Sequence, residues 1–308
     1  MQDKKKIKAI VLLSGGLDSG LAAKIVKNQG IALVGITFKS YFFDLSGPAR
    51  KQAEELKIPL KIVDISQEQL DKVLSPEYGY GAGLNPCIDC HLLMVKFAHQ
   101  QMVKEKGEFL VTGDVLGQRP LSQNRLALEL IDRAGKVEGL VLRPLSAKFL
   151  HPTKAENKGW IKREDLFNIK GRSRKTQIFL AEKFGLKNYT APAGGCLLTD
   201  VIFSKKLARV VNFFPNPSPG SLRLAALGRH FWLDKAWIVV GRNHQENEQI
   251  KQLVEKGDCL VELSNISGPT IIIKGNIDQK AIKKARELTK KYASKARNKS
   301  VEFLIEKI

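Results

Sequence analysis

Six consecutive residues constrain this chain most. An unbroken aliphatic run, Ile7 to Leu13, stops at Ser14-Gly15-Gly16-Leu17-Asp18-Ser19, after which apolar residues return at helical spacing as far as Asn28. A strand that enters a helix through two glycines brings its backbone close to a ligand. The amides of such a turn, together with those of the first helical residues, cradle an anion. Here that cradle runs over Ser14, Gly15, Gly16, Leu17, Asp18 and Ser19, with the Ser14 and Ser19 hydroxyls as further donors to phosphate. Asp18 would repel phosphate unless a divalent cation joined them, so Mg2+ is expected. The chain has no Gly-x4-Gly-Lys-Ser/Thr sequence, so this is not the usual γ-phosphate loop. The competing structural expectation is a plain strand-to-helix corner with aspartate as the cap.

Further strands are expected at 31–38, 60–64 and 109–112, alternating with helices at 49–57 and 91–106. That alternation predicts an α/β fold with a mostly parallel, doubly wound sheet, whose ligands lie at the carboxyl ends of the strands. Phe38 then falls at a strand end where a ligand would lie, with the core as its alternative. Gly113 and Asp114 close the fourth strand, where Asp114 can hold magnesium, accept a proton or cap a helix. Gln118 and Arg119 follow in position to contact the bound phosphate or the rest of its ligand. No apolar run approaches the roughly 20 residues needed to span a bilayer. The basic, apolar beginning lacks a small-residue cleavage site and reads as a strand, so a cytoplasmic protein with no membrane partner is expected.

The 308 residues carry 51 Lys plus Arg against 31 Asp plus Glu, a net charge of +20. A polyanion relieves such self-repulsion, and nucleic acid is the expected partner. A heat-adapted lysine-rich surface is the alternative, but it predicts matching acids. Arg172, Arg174 and Lys175 form a short basic cluster, placed either to bind RNA phosphates or to solvate a helix start. Asn212 to Ser221 holds three prolines and a glycine and reads as a linker. The expected domains are therefore 1–211, catalytic, and 222–308, a smaller α+β unit with strands near 236–241, 259–263 and 270–274 and a basic helix at 278–293.

SGGLDS is the signature of the PP-loop, or N-type, ATP pyrophosphatases, and the chain resembles that family from about residue 7 to 150. The resemblance implies cleavage of ATP to AMP and pyrophosphate, with the adenylate activating a carbonyl oxygen. TGDVLGQ at 112–118, with Ser122 and Gln123, resembles the corresponding stretch of bacterial tRNA 4-thiouridine synthetase. Leu142-Arg143-Pro144-Leu145 is similar to that enzyme's next motif. The same enzyme normally carries an RNA-binding region before its PP-loop and often a rhodanese domain after it, and no segment here looks like either. Ile238 to Asn243, with Glu246 and Asn247, is instead similar to the RNA-binding module of NFACT proteins.

Of four cysteines, Cys87 and Cys90 form a CxxC, Cys196 follows Gly194 and Gly195, and Cys259 sits in an apparent core strand. In a cytoplasmic chain such residues are metal ligands or reactive thiols more often than disulfides. Two cysteines plus a distant third resemble the iron–sulfur-dependent tRNA thiolases. That resemblance implies a 4Fe–4S cluster on Cys87, Cys90 and Cys196 with one iron open. Zinc on the three with His91, persulfide chemistry without metal, and plain burial are the alternatives. Taken together, the sequence leads us to expect an ATP-dependent tRNA thiolase making 4-thiouridine at position 8. The alternatives are 2-thiouridine synthesis, a small-metabolite ligase or sulfurtransferase, and a non-catalytic RNA-binding protein. Sulfur would come from free sulfide or a cysteine desulfurase, and a homodimer is compatible with the sequence.

Overall fold

A computed structural model describes residues 7–190, 195–294 and 299–308. Gly194, expected to flank the third thiol, lies outside the described residues. The chain divides into two compact units, Met1–Thr199 and Asp200–Ile308.

Unit 1 runs β1 (Lys8–Leu12), α1 (Leu17–Asn28), β2 (Ala32–Lys39), α2 (Ser46–Glu55), β3 (Leu60–Asp64), α3 (Ser66–Leu74), α4 (Cys87–Lys104), β4 (Phe109–Val111), α5 (Arg125–Ala134), β5 (Val141–Leu142), α6 (Lys154–Asn157) and α7 (Lys175–Phe184). The strands form one sheet in the order β3-β2-β1-β4-β5, with every pairing parallel. Alternate residues of β1 serve opposite faces, as a pleated strand requires. Ala9 and Val11 join the core with Leu21 and Ile25 of α1 and Leu180 of α7. Ile10 joins the other core with Val95 and Ala98 of α4 and Ile131 of α5. Both faces are thus covered, which is why these strands are continuously apolar.

The chain moves outward from β1 through β2 to β3, then returns to place β4 on the other side of β1. That reversal opens a crevice at the carboxyl ends of β1 and β4. It is flanked by the Ser14–Ser19 turn and the loop that begins at Gly113. The two loops approach closely, since a Cβ on Gly113 would stand 2.5 Å from the Ser19 amide nitrogen.

Unit 2 contains α8 (Val201–Phe213), α9 (Pro219–Leu224), β6 (Arg229–Leu233), β7 (Ala236–Val240), α10 (His244–Gln252), β8 (Cys259–Leu263), β9 (Ile271–Gly275), α11 (Gln279–Tyr292) and β10 (Phe303–Lys307). Its sheet is antiparallel in the order β10-β8-β9-β7-β6. Ala281, Ala285 and Leu288 of α11 pack on Ile238, Val261 and Ile273, and Cys259 lies fully buried in the same core. The division falls about a dozen residues before the expected one, and residues 212–221 are not a structureless linker. Asn212 and Phe213 end α8, while Pro219 opens α9 with the Ser218 side chain accepting from the Ser221 amide. A proline whose missing N–H falls at a helix start favours that helix.

Gly113→Ala should lower the stability of unit 1 by about 1–3 kcal/mol through forced overpacking against α1. Urea unfolding measures this, and an unchanged midpoint would mean that β4 and α1 do not come this close.

Candidate functional site

The Ser14–Ser19 turn is held from behind by side chains. Gly15 has φ +73, and a Cβ there would meet Pro48 at 2.3 Å, so the turn needs glycine on both counts. The Gly15 carbonyl accepts from the Thr190 amide at 2.9 Å. The Ser19 hydroxyl accepts from the Ser14 amide at 3.2 Å and lies 3.1 Å from the Ser14 hydroxyl. Gln52, fully buried on α2, donates to the carbonyls of Gly16 and Asn188, both at 3.2 Å. The N-cap of α1 is Gly16, with no side-chain cap, so the amides of the first turn have neither an intrahelical partner nor a capping side chain. Asp18 is therefore not a cap. Leu17 is buried in the core, so only its backbone is available to a ligand.

Asp18 meets the second motif directly. Its Oδ2 accepts from Gln118 Nε2 at 2.9 Å and lies 3.8 Å from Arg174 Nη2. Its Oδ1 is buried without a hydrogen-bond partner, as is Gln118 Oε1. Burial raises the Asp18 pKa, against the opposing pull of Gln118, Arg174 and Arg119. A cation offset by phosphate suits such oxygens, and Mg2+ fits Asp18 on that ground.

Asp114 occupies a different environment. It is 6% exposed, and its Oδ2 accepts from the Thr112 hydroxyl at 2.7 Å. Arg143 Nε lies 3.4 Å and His91 Nε2 3.3 Å from that same oxygen. Gln123 donates to Oδ1 at 3.0 Å. Arg143 in turn grips Asp132 with two bonds, 2.8 and 2.7 Å. Burial alone would raise the Asp114 pKa, but His91, Arg143 and the Thr112 hydroxyl overcome it and hold the carboxyl well below the carboxylate range. A carboxylate so held is a poor proton acceptor, and both its oxygens are occupied. The expectation that Asp114 takes a proton or binds magnesium is corrected on that ground, and its structural alternative, capping, is not its role either.

The three thiols sense one another. Burial pushes the Cys90 thiol up to about 12, opposed by Gln69, and Cys196 and Cys87 add to the rise. Burial likewise pushes Cys196 up to about 11, with Cys87 adding and the Leu198 amide, Arg119 and the Thr199 amide opposing. Side-chain amides serve two of the sulfurs, for Gln69 Nε2 donates to Cys90 Sγ at 3.3 Å and Asn85 Nδ2 to Cys87 Sγ at 3.1 Å. N–H donors to sulfur would also serve thiolates that held a cluster. Among the described residues, no three Cys, His, Asp or Glu side chains surround one point as a single ion would require. Neither the closed zinc site with His91 nor the three-cysteine cluster is shown by that arrangement, and His91 is engaged by Asp114. Support for a cluster rests on the sulfurs and their donors alone.

Other expectations change. Phe38 is 3% exposed and packed among Ile36, Ile65 and Val95, so it belongs to the core and offers adenine no face. Arg172 and Lys175 are exposed, but Arg174 turns to Asp18 and is not free for RNA. Sequence reasoning passed over Gln52, Gln69, Asn85 and Gln177. Among the described residues no helix is long and apolar enough to cross a membrane.

Residues 7–153 match the family described as the tRNA methyl transferase HUP domain, and residues 228–308 match the NFACT protein RNA binding domain. Residues 7–153 are thus similar to a HUP domain and residues 228–308 to an RNA-binding domain. It is 32% identical over 129 residues to the tRNA-specific 2-thiouridylase MnmA of Karelsulcia muelleri (strain GWSS), covering 39% of this chain and 34% of that one. It is 36% identical over 103 residues to the protein of the same name from Syntrophotalea carbinolica, covering 30% and 29%. The chain thus spans about a third of the length of the curated relatives it matches. A solved 4-thiouridine synthetase–RNA complex with bound ATP is similar at 19% identity and TM-score 0.39, over 58% of this chain and 51% of that one.

Asp114→Asn should cost about 3–5 kcal/mol near neutral pH, because the buried Arg143 loses a counter-charge. The folded pKa lies below the unfolded value of 3.8. The wild-type advantage is therefore full above about pH 5 and declines as pH falls through the unfolded pKa. Urea unfolding of both proteins across pH measures it, and a gap constant down to about pH 2 would contradict the assignment.

Proposed function

We propose that this chain is an ATP-dependent tRNA thiolase, which adenylates a uridine carbonyl oxygen and replaces it with sulfur. The observation that carries this is the 2.9 Å bond from Gln118 Nε2 to Asp18 Oδ2, which ties the second motif, the one that resembles a tRNA thiolase, to the nucleotide turn. The names of the curated relatives and the RNA-binding domain at 228–308 support the same conclusion.

The uridine oxygen would attack the α-phosphorus. The bond to the β-phosphate breaks with its electron pair on pyrophosphate, and N3 gives up its proton. Hydrosulfide, from free sulfide or a cysteine desulfurase, then adds to the activated ring carbon. The carbon–oxygen bond breaks, AMP leaves with that pair, and the sulfur's proton passes to N3. The Ser14–Ser19 amides hold phosphate, and Asp18 holds its cation. A cluster on Cys87, Cys90 and Cys196 would, when bound, supply sulfur of lowered proton affinity. A base reaching such a crevice must leave the tRNA stack. The exposed bases of α11, among them Lys283, Arg286 and Lys290, would meet the tRNA backbone.

The 112–123 stretch favours 4-thiouridine at position 8, and the relatives' names favour 2-thiouridine as the second reading. Mass analysis of tRNA nucleosides from cells lacking the gene separates them, and unchanged thionucleosides would overturn both. In vitro, Cys196→Ala should still release pyrophosphate with tRNA and ATP but form no thionucleoside. Asp18→Ala should lose both, and thiolation by the Cys196 variant would remove the sulfurs from the account. Reversing charge at Lys283, Arg286 and Lys290 should weaken tRNA binding and flatten its salt dependence by up to about three charges.

A further inference from the structure

The face of the second sheet turned away from α11 carries a row of planar groups. Ile238 and Val240 of β7 point to α11, so Trp237 between them points the other way. Trp232 of β6 is its cross-strand partner, and the two indoles stack 5.3 Å apart with 8° between their planes. α8 lies over this pair. Phe213 meets Trp232 edge-on at 5.0 Å, and the Arg209 guanidinium stands 4.9 Å from the centre of the same ring. Arg209 is exposed, and among the described residues it has no carboxylate partner.

One turn before Arg209, two cations gather on a single glycine. Lys206 Nζ donates to the Gly228 carbonyl at 3.2 Å, and the Gly228 amide donates to Glu246 at 3.2 Å. Glu246 also takes the Arg242 amide at 2.9 Å and the Arg242 Nε at 2.8 Å, so its charge is spent on Arg242. Asp200 caps α8 through the Phe203 amide. Burial lowers the Lys206 pKa and Arg242 adds to the fall, against Glu246 and Asp200. Burial pushes His230 down to about 4, with Lys206 adding to it. The positive charge here is left without a counter-ion of its own, and an anion would relieve it. A guanidinium held over an indole is already ordered, and its outer side can carry a further planar group. Stacked planes beside unneutralised cations are the two parts of single-strand recognition, in which bases stack and phosphates pair. A duplex keeps its bases covered and cannot use the first part.

We propose that this row binds an unpaired nucleotide of RNA, its base stacked on Arg209 over Trp232 and its phosphate drawn to Lys206 and Arg242. This rests on the RNA-modifying function given above and adds a contact surface on the sheet face opposite α11. α8 ends before the stretch that matches the RNA binding domain, so Lys206 and Arg209 supply what the matched stretch does not contain. The row holds a strand and carries no chemistry.

The test is equilibrium binding of the full chain to a single-stranded uridine oligomer and to the same oligomer with abasic riboses. The wild type should prefer the oligomer with bases by about fivefold or more, the low end of one stacked base. Arg209→Lys keeps the charge and loses the plane. It should remove that preference and leave affinity for the abasic strand within about twofold. Trp232→Leu, checked for folding by thermal melting, should reduce the preference in the same direction, because the guanidinium loses its support. Lys206→Gln should keep the preference but lower the salt slope of binding by about 0.7, the share of one single-strand phosphate. Equal wild-type affinity for the two oligomers, or no binding of either, would overturn the assignment. So would an Arg209→Lys chain that keeps the wild-type preference, or a Lys206→Gln chain that keeps the wild-type slope. Thiolation of tRNA is scored separately. A wild type that prefers bases as stated but forms no thionucleoside would support this surface and sink the functional proposal, and base-blind binding by a chain that thiolates would do the reverse.

Discussion

The buried carboxylate of Asp114 is the constraint on which the site depends. An ion taken out of water must be surrounded by its counter-charges, or the fold is lost. Asp114 therefore draws Arg143 from beyond β5 and His91 from α4, and Arg143 draws Asp132 from α5. His91 follows Cys90 directly and lies one turn after Cys87, so fixing its ring fixes where α4 presents both sulfurs. Gly113, the neighbour of Asp114, lies against the first turn of α1. One network of charges thus sets the thiol helix and the nucleotide turn in a common frame.

Much of the first unit was legible because its strands are buried on both faces. Continuous apolar runs at 7–13, 31–38, 60–64 and 109–112 correspond to β1 to β4, and glycine marks the turn after β1 and the end of β4. β5 is two residues long and carries no periodicity, and β6 and β10 are half-buried edge strands whose alternation is weak. The prolines of 212–221 were misleading for a physical reason. Proline punctuates structure, but punctuation opens helices as well as closing them, and Pro219 opens α9.

The site was legible where backbone demanded glycine and illegible where side chains did the holding. Phe38 sits at a strand end, where a ligand could be expected, but core packing claims it. The glutamines that support the site left a signal that composition hides. Gln52 shares a buried helix face with Ala49 and Ala53, Gln69 with Leu70 and Val73, and Gln177 with Leu180 and Ala181. A glutamine inside an apolar stripe at helical spacing is a buried amide needing a partner. Two of the three reach the nucleotide turn or a cysteine sulfur, and the third lies beside Asp18, whose carboxylate its amide favours. Arg174 illustrates the opposite error, in which a basic cluster is taken as one surface although its members face different ways.

The central claim is that an adenylate held by the Ser14–Ser19 turn lies within reach of the three sulfurs. The most direct measurement is a crystal structure of the chain with AMP bound. The account predicts the phosphate over the amides of that turn, with Cys87, Cys90 and Cys196 facing the same side of the crevice. AMP bound there with Cys196 turned away from the other two sulfurs and from the phosphate would contradict it.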